Sequence, residues 1–593
     1  MPEAHHGTDR GNGMILDWRK GLLIGAALGF SGAAQAQSQV PSREEVNPPP
    51  PTRDDRAGKV SVDSSEAFSR GPCPLEDSTL RTTIPSVAFA RPGGEPIQPE
   101  LVPILAQIRV PEGEQPVRVV CDIRDQANAA LRGARFGATV QIPSQRLDGG
   151  PLKLEVVTAH IVETRVRGDA GPYEGLIEQR IKTLQSFDPL NEADAERLLL
   201  LADDIPGLDV RLALQPAGRA PGEVIGELTV DYRRLSVIGN LQNYNSKQLG
   251  RRTAYARAEV YGLTGLGDLT YLAGSTTWDF DEQKIVQVGH EMLLDQTGTA
   301  LALRATYADS RPDLPTLNLR TESWILNAEV TQPILRSLYD NFYTGLGFER
   351  IDQRTKLGGG PGGAAPLNLD RISTVYARFA GASRRLRLDG TEATAFGGFV
   401  EFRKGIDAFN TTKTGVITKA GYAPSRFEGD AKAWVIRGQF DAKIGWGPIF
   451  ELGGQVRGQW TKDPLLNYDE FSIGNLTVGR GYDPGANTGD KAYSTSAELR
   501  ANLPTGRKVA TQLYGFYDGI RLWNLDTGTT EKDRRLESVG GGVRFTLPGA
   551  ARLDLTYAHP LDRPLLTGAT AKVPKDRFLI SLTAQLVPFG GRR

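Results

Sequence analysis

Long hydrophobic runs are scarce in this 593-residue sequence. Beyond an apolar stretch at residues 21–30, no segment offers 18 consecutive apolar residues, so helices spanning a bilayer are excluded and only a closed β-barrel could cross one. Histidine is scarce too, with five in the chain and two of them at positions 5 and 6. No GxSxG, P-loop or HExxH pattern occurs, and His290-Glu291 lacks the second histidine a zinc protease needs. No enzyme activity, metal or cofactor is therefore expected. An excess of either charge is also missing. The 70 basic and 70 acidic residues cancel, which argues against a nucleic-acid partner.

Against these absences stand 68 glycines. With 39% hydrophobic residues and a mean hydropathy of −0.32, the composition suits an all-β chain rich in turns, including an outer-membrane barrel in which only alternate residues face lipid. Residues 1–36 read as a leader. Trp18-Arg19-Lys20 gives a basic region, Gly21 to Phe30 an apolar core and Ala34-Gln35-Ala36 a small-x-small cleavage site, with Met14 the expected start. Residues 37–72 are polar and proline-rich and are expected to be a disordered linker, with a short helix at Val60 to Ser69 left open.

From Cys73 the pattern is β-α-α-β-β. Thr79 to Ala90 reads as a strand, Pro99 to Arg109 and Arg118 to Arg135 as helices, and Ala138 to Gln145 and Leu152 to Ile161 as strands. The order recurs with a strand at Val162 to Gly168, helices at Tyr173 to Phe187 and Asn191 to Leu201, and strands at Leu208 to Gln215 and Glu223 to Tyr232. Two related α/β modules, 73–161 and 162–234, are expected. The two cysteines, Cys73 and Cys121, both lie in the first module. In an oxidising compartment such a pair is expected to form a disulfide, stabilising the module by about 3 to 4 kcal/mol.

After about Leu235 alternation replaces helical periodicity. In Trp434 to Ile444, the residues Trp434, Ile436, Gly438, Phe440, Ala442 and Ile444 share one face, and Val435, Arg437, Gln439, Asp441 and Lys443 the other. Phe450 to Trp460 repeats the pattern, as do Thr253 to Tyr261, Trp324 to Val330, Phe342 to Arg350, Thr374 to Ala380, Arg552 to Tyr557 and Phe578 to Leu586. Lipid outside and water inside explains both faces. Residues 235–593 allow about 16 strands at roughly 20 to 24 residues per strand and turn. Asp309 to Leu319, Leu357 to Pro366, Asp407 to Asp430 and Leu525 to Arg535 are candidate extracellular loops.

One stretch within this region, Gly479-Arg480-Gly481-Tyr482-Asp483-Pro484-Gly485, reads as a folded loop tip with a single cation at its centre. By turn chemistry alone it is equally a solvated turn. Tyr514, Phe516 and Asp518 share a strand face that is lumenal if Leu513, Tyr517 and Trp523 meet lipid. Glu498 and Arg500 are further charges available either to that arginine or to an ordinary network of lumen charges.

Taken together, the chain resembles the TpsB transporters of two-partner secretion, the haemolysin/haemagglutinin activation and secretion family. The resemblance is carried by Cys73-Pro74-Leu75 leading into Ile84-Pro85-Ser86-Val87-Ala88-Phe89, by Cys121-Asp122-Ile123-Arg124-Asp125 through Leu131-Arg132, and by the glycine-rich stretch. It implies a membrane β-barrel of about 16 antiparallel strands with two N-terminal periplasmic POTRA domains. It also implies a function: a secreted β-helical TpsA-type exoprotein is captured by the modules and exported through the barrel by a monomer seated among outer-membrane lipids. Gly479, Arg480, Gly481 and Tyr482 then correspond to the family's lumenal loop motif. Phe516 and Asp518 correspond to its wall motif Phe-x-Asp-x-Gly, although here glycine falls at 519 and Ile520 takes the last position. Other departures are the absence of a clear pore-plugging helix and the residues Gly590 to Arg593 that follow Phe589 at the C-terminus. Leu176, Ile177, Ile181 and Leu184 are candidates for a partner groove in the second module, with Leu208 to Gln215 and Glu223 to Tyr232 as candidate pairing edges. The alternative function is a POTRA-barrel factor for outer-membrane protein assembly.

Overall fold

A computed structural model describes residues 41–47, 73–147, 149–314, 317–360, 363–387, 391–503, 509–547, 551–566 and 572–585. The leader, the segment 60–69 and Phe589 lie outside the described residues. Sixteen antiparallel strands from Leu235–Gln242 to Arg577–Gln585 form a closed barrel. The last strand pairs with the first over Ser581–Gln585 and Gln242–Ile238, leaving no open edge in the wall. Alternation sorts the side chains as period 2 requires: Trp434, Phe440, Val456 and Trp460 are exposed on the outside, whereas Glu349, Glu401 and Arg403 are buried within.

The wall is tallest at Leu319–Arg336, Asp340–Gly360 and Gly363–Leu386. Here the expected loop Leu357 to Pro366 is corrected: it is the tip of a hairpin in which Leu357 pairs with Ala365 and Gly360 with Gly363. Backbone pairing is indifferent to side chains, so a glycine-rich run can continue a ladder when its partner is covalently close.

At one end of the barrel sit the two α/β modules. In the first, Val87–Ala90, Leu152–Thr158 and Ala138–Gln141 form a sheet in that order. The Val119–Gly133 helix covers it with Val120, Ile123, Ala127 and Leu131. Cys73 and Cys121 are disulfide-bonded. The expected strand Thr79 to Ala90 is broken into Arg81–Thr83, which pairs with Glu114–Pro116, and Val87–Ala90. Pro85 lies in the gap and has no N–H to give to a ladder. Of the helix expected at Pro99 to Arg109, only Val102–Leu105 is helical.

The second module orders its sheet as His160–Asp169, Glu223–Tyr232, Leu208–Pro216. Glu223–Tyr232 is therefore the central strand, paired on both sides; it has no free edge, which corrects its expected role. Of the expected groove residues, Ile177 and Leu184 are closed inside the core, while Leu176 and Ile181 pack against it with part of their surface free. The helix Glu192–Asp203 opens on Asn191, whose Oδ1 accepts the Ala193 and Asp194 amides at 2.8 and 3.3 Å.

Several contacts lock this module to the barrel. Tyr173 donates to the Asp268 carbonyl at 3.0 Å and Tyr232 to the Tyr261 carbonyl at 2.7 Å. Arg336 grips both oxygens of Asp204 at 2.7 Å.

The segment expected as disordered linker also needs correction, at residues 41–47. Arg43–Val46 is a helical turn inside the barrel. Val46 packs with Ile285, Ile325, Ile351 and Ile372 of the inner wall and with Tyr468. Gln283 donates to the Glu45 carbonyl at 3.0 Å, Gln287 to Asn47 Oδ1 at 3.2 Å, and Arg43 lies 3.6 Å from Glu349. A polar segment becomes ordered here because the lumen supplies partners that the segment lacks by itself.

Candidate functional site: a loop tip anchored on the inner wall

The loop joining Phe450–Thr461 to Lys491–Leu503 folds into the lumen. Its tip is shaped by backbone constraints. Gly479 has φ +94°, and a Cβ there would meet Ile520 Cδ1 at 2.7 Å. A Cβ on Gly481 would stand 2.9 Å from Pro560 Cα and Ser538 Cβ. Glycine at 481 thus lets the tip touch the wall strands directly.

Arg480 projects from this tip onto Asp518. Its Nε donates to Oδ2 at 3.0 Å, a terminal nitrogen donates to Oδ1 at 2.7 Å, and its own backbone N–H donates to Oδ2 at 2.9 Å. The same guanidinium bonds Ser496 Oγ at 2.9 Å, pairs with Glu498, and lies 3.5 Å from the centre of the Phe516 ring. Register explains the convergence. Ser496 stands opposite Asp518, Asp518 opposite Ser538, and Glu498 opposite Phe516, so three adjacent strands present one inward patch. The fork of an arginine fits it, since two parallel N–H bonds fix direction as well as distance.

The glycine expected at position 520 is replaced for a visible reason. Ile520 is buried against Gly479 and takes part in the apolar cluster with Val478, Tyr482 and Leu522. Tyr482 is fully buried; its hydroxyl donates to the Glu537 carbonyl at 2.7 Å and accepts from the Asp562 amide at 3.1 Å. Gly519 lies on the opposite face, beside the Tyr517 ring.

Glu498 and Arg500, singled out from the sequence, complete the anchor together with arginines that were not. Arg544 donates twice to Glu498 at 3.0 Å and lies 3.8 Å over the Tyr514 ring, while Arg500 reaches Glu498 at 2.6 Å. Glu498 thus joins three arginines. Arg577 bonds the Tyr482 carbonyl and pairs with Asp483 at 2.9 Å, and Arg251 grips Asp483 at 2.8 and 3.1 Å. At the base of the loop, buried Arg426 binds Glu470, Asp490 and Asp526. Inward parity marks several of these as lumen charges, but only the register says which meet.

The tip also lies beside the N-terminal segment. A Cβ on Gly485 would lie 3.4 Å from Glu45 Oε2 and 3.9 Å from Ser42 Cβ. Burial pushes the Glu45 carboxyl up to about 7, against hydrogen bonds from Ser42 and Ser246 that lower it; the nearby Glu44 charge raises it further. Among the described residues no group of His, Cys, Asp and Glu side chains is arranged to hold a metal. The arrangement holds a loop in a channel.

Comparison with known proteins is consistent with this architecture. The Omp85 superfamily domain profile matches residues 383–572. The heme/hemopexin transporter protein HuxB of Haemophilus influenzae is 22% identical over 434 residues, covering 71% of this chain and 73% of that protein. Among solved structures, CdiB from Escherichia coli superposes with a TM-score of 0.65 at 12% identity, covering 88% of this chain and 94% of CdiB. CdiB from Acinetobacter baumannii gives 0.60 at 14% identity, covering 95% and 98%. The chain thus carries an Omp85 superfamily domain, is homologous to HuxB and shares the fold of CdiB.

Proposed function

We propose that the chain captures an unfolded β-helical exoprotein on its α/β modules in the periplasm and passes it through the lumen to the cell surface as a monomer, with no catalytic step. The observation that carries this reading is the tip Gly479 to Gly485, held inside the lumen by Arg480 and lying beside the N-terminal segment at Gly485. Both obstruct the channel, and both are joined to the wall by polar contacts that a moving chain can replace. Capture is assigned to the edges of the second module. Leu208–Pro216 and His160–Asp169 are the outer strands of its sheet, and Val166 on the latter is exposed between Arg165 and Arg167. An extended segment can add to either by β-augmentation.

The test is secretion. Cells lacking the chain are compared with cells carrying it or its Arg480→Ala variant, by profiling surface and culture-medium proteins. The expected result is one large exoprotein that depends on the wild-type chain and is retained by the variant at equal barrel abundance. Identical profiles in all three strains overturn the reading.

A further inference from the structure

The outside of the barrel carries an irregularity at the end remote from the modules. Within its apolar band, Gly438 and Gly458 face each other on adjacent strands. These glycines sit in one cross-strand row between Val400 and Tyr493. They floor a hollow of about 690 Å³ walled by Trp460, Tyr493 and Trp523; the Tyr493 and Trp523 ring centres are 5.9 Å apart.

Lys491 and Lys532 line the same hollow. Among the described residues neither lysine has an ion pair or a side-chain hydrogen bond. The neighbouring outward cation, Arg521, is by contrast neutralised by Asp533 at 2.7 Å. Towards the strand ends the order is the glycine row with Tyr493, then Trp523 and Lys491 opposite each other, then Lys532 in the adjoining loop; the two rings are tilted by 40° and neither ammonium group is compensated.

We infer that this hollow binds a phosphorylated, acylated glycolipid of the outer leaflet. An acyl chain fills the slot over the two glycines, the sugar lies on Tyr493 and Trp523, and a phosphate meets Lys491 and Lys532. Charge complementarity selects the occupant, because a neutral lipid leaves both ammonium groups without a counter-ion at the headgroup level. The inference rests on the proposed orientation, in which the end remote from the modules faces outside.

Full-length protein, delipidated in mild detergent, is titrated with bisphosphorylated lipid A, dephosphorylated lipid A and phosphatidylglycerol, and bound lipid is counted by native mass spectrometry. Wild type is expected to take up one bisphosphorylated lipid A saturably. Lys491→Gln and Lys532→Gln each weaken that binding roughly 5-fold, the effect of one cation near an anionic headgroup. Gly458→Leu closes the slot and removes saturable uptake. A Cβ at Gly458 meets nothing nearer than the Ala492 carbonyl oxygen at 3.6 Å, so the wall accommodates it, and resistance of the folded barrel to unfolding in cold SDS checks this. Equal binding by all variants, or equal binding of the dephosphorylated lipid or phosphatidylglycerol, overturns the inference. Orientation is read separately: Thr530→Cys, in the Lys532 loop, is expected to react with an impermeant maleimide on intact cells. Failure to label overturns the orientation and leaves the detergent titration unchanged.

Discussion

Replacing Arg480 by alanine isolates what the lumenal anchor contributes. The substitution removes the fork on Asp518, the bond to Ser496, the pair with Glu498 and the stacking on Phe516. Glu498 keeps Arg500 and Arg544, so the loss concentrates on Asp518. That carboxylate is 1% exposed and would keep only the Ser496 and Ser538 hydroxyls, at 2.8 and 3.4 Å, as side-chain donors. Stranding one partner of a buried ion pair costs about 3 to 5 kcal/mol, which is roughly a hundredfold to several thousandfold in the ratio of docked to released loop. Hydrogen exchange at the loop tip reads that ratio, because the Arg480 and Gly481 amides are bonded to Asp518 and Ser538 when docked. Protection across residues 474–485 should fall by at least a hundredfold while the wall strands keep theirs. Asp518→Asn should be milder, since Arg480 retains Glu498 and Ser496. In Arg480→Ala/Asp518→Ala the stranded charge is gone, so the double loss should be smaller than the sum of the single losses by about 1 to 3 kcal/mol. Unchanged protection in Arg480→Ala, or strict additivity in the double variant, refutes the anchor.

Gly481→Ala should release the tip with its charge intact, since its Cβ meets wall backbone at 2.9 Å; equal hydrogen exchange in this variant and wild type would show that the contact relaxes. For Glu45, the docked carboxyl at about 7 against an ordinary 4.5 means that protonation favours docking of residues 41–47. That contribution is complete below about 4.5 and lost as pH rises through 7. Planar-bilayer conductance should therefore rise between pH 5 and pH 8, and Glu45→Gln should flatten the profile. Cys73→Ser/Cys121→Ser should destabilise the first module by about 3 to 4 kcal/mol without unfolding the barrel, measured by thermal melting of the two parts.

Different parts of the molecule were legible in the sequence to different degrees, for physical reasons. Strand parity was readable because a barrel wall has two solvents, and Trp434 to Trp460 therefore alternates cleanly. The wall continues through Leu357 to Pro366, where glycine masks pairing that only the opposite strand reveals. Arg480 and Asp518 could be named as one lumenal cation and one lumenal anion by parity and resemblance. The roles of Arg544, Arg577 and Ser538 depend on a register between strands far apart in sequence. Ile520 occupies the expected glycine position because Gly479, across the contact, leaves it room. The Arg43–Val46 turn was illegible because a short, mostly polar segment carries no folding signal of its own; inward side chains from distant strands give it a place.

The proximity of Gly485 and Glu45 changes how the two lumenal obstructions must behave. If they were independent, weakening Arg480 would affect the loop alone. Because the loop tip lies beside Glu45, with room for little more than a Cβ between Gly485 and its carboxyl group, each element forms part of the other's surroundings, and any coupling between them is reciprocal. A polypeptide that displaces residues 41–47 exposes the tip to water on that side and weakens it before the polypeptide reaches Arg480. The Arg480 fork still fixes the tip to the wall at that stage, so the order of release runs from the plug, whose Arg43 contact with Glu349 is 3.6 Å long, to the anchor, whose bonds to Asp518 are 2.7 to 3.0 Å. On that ordering the plug is expected to yield before the anchor.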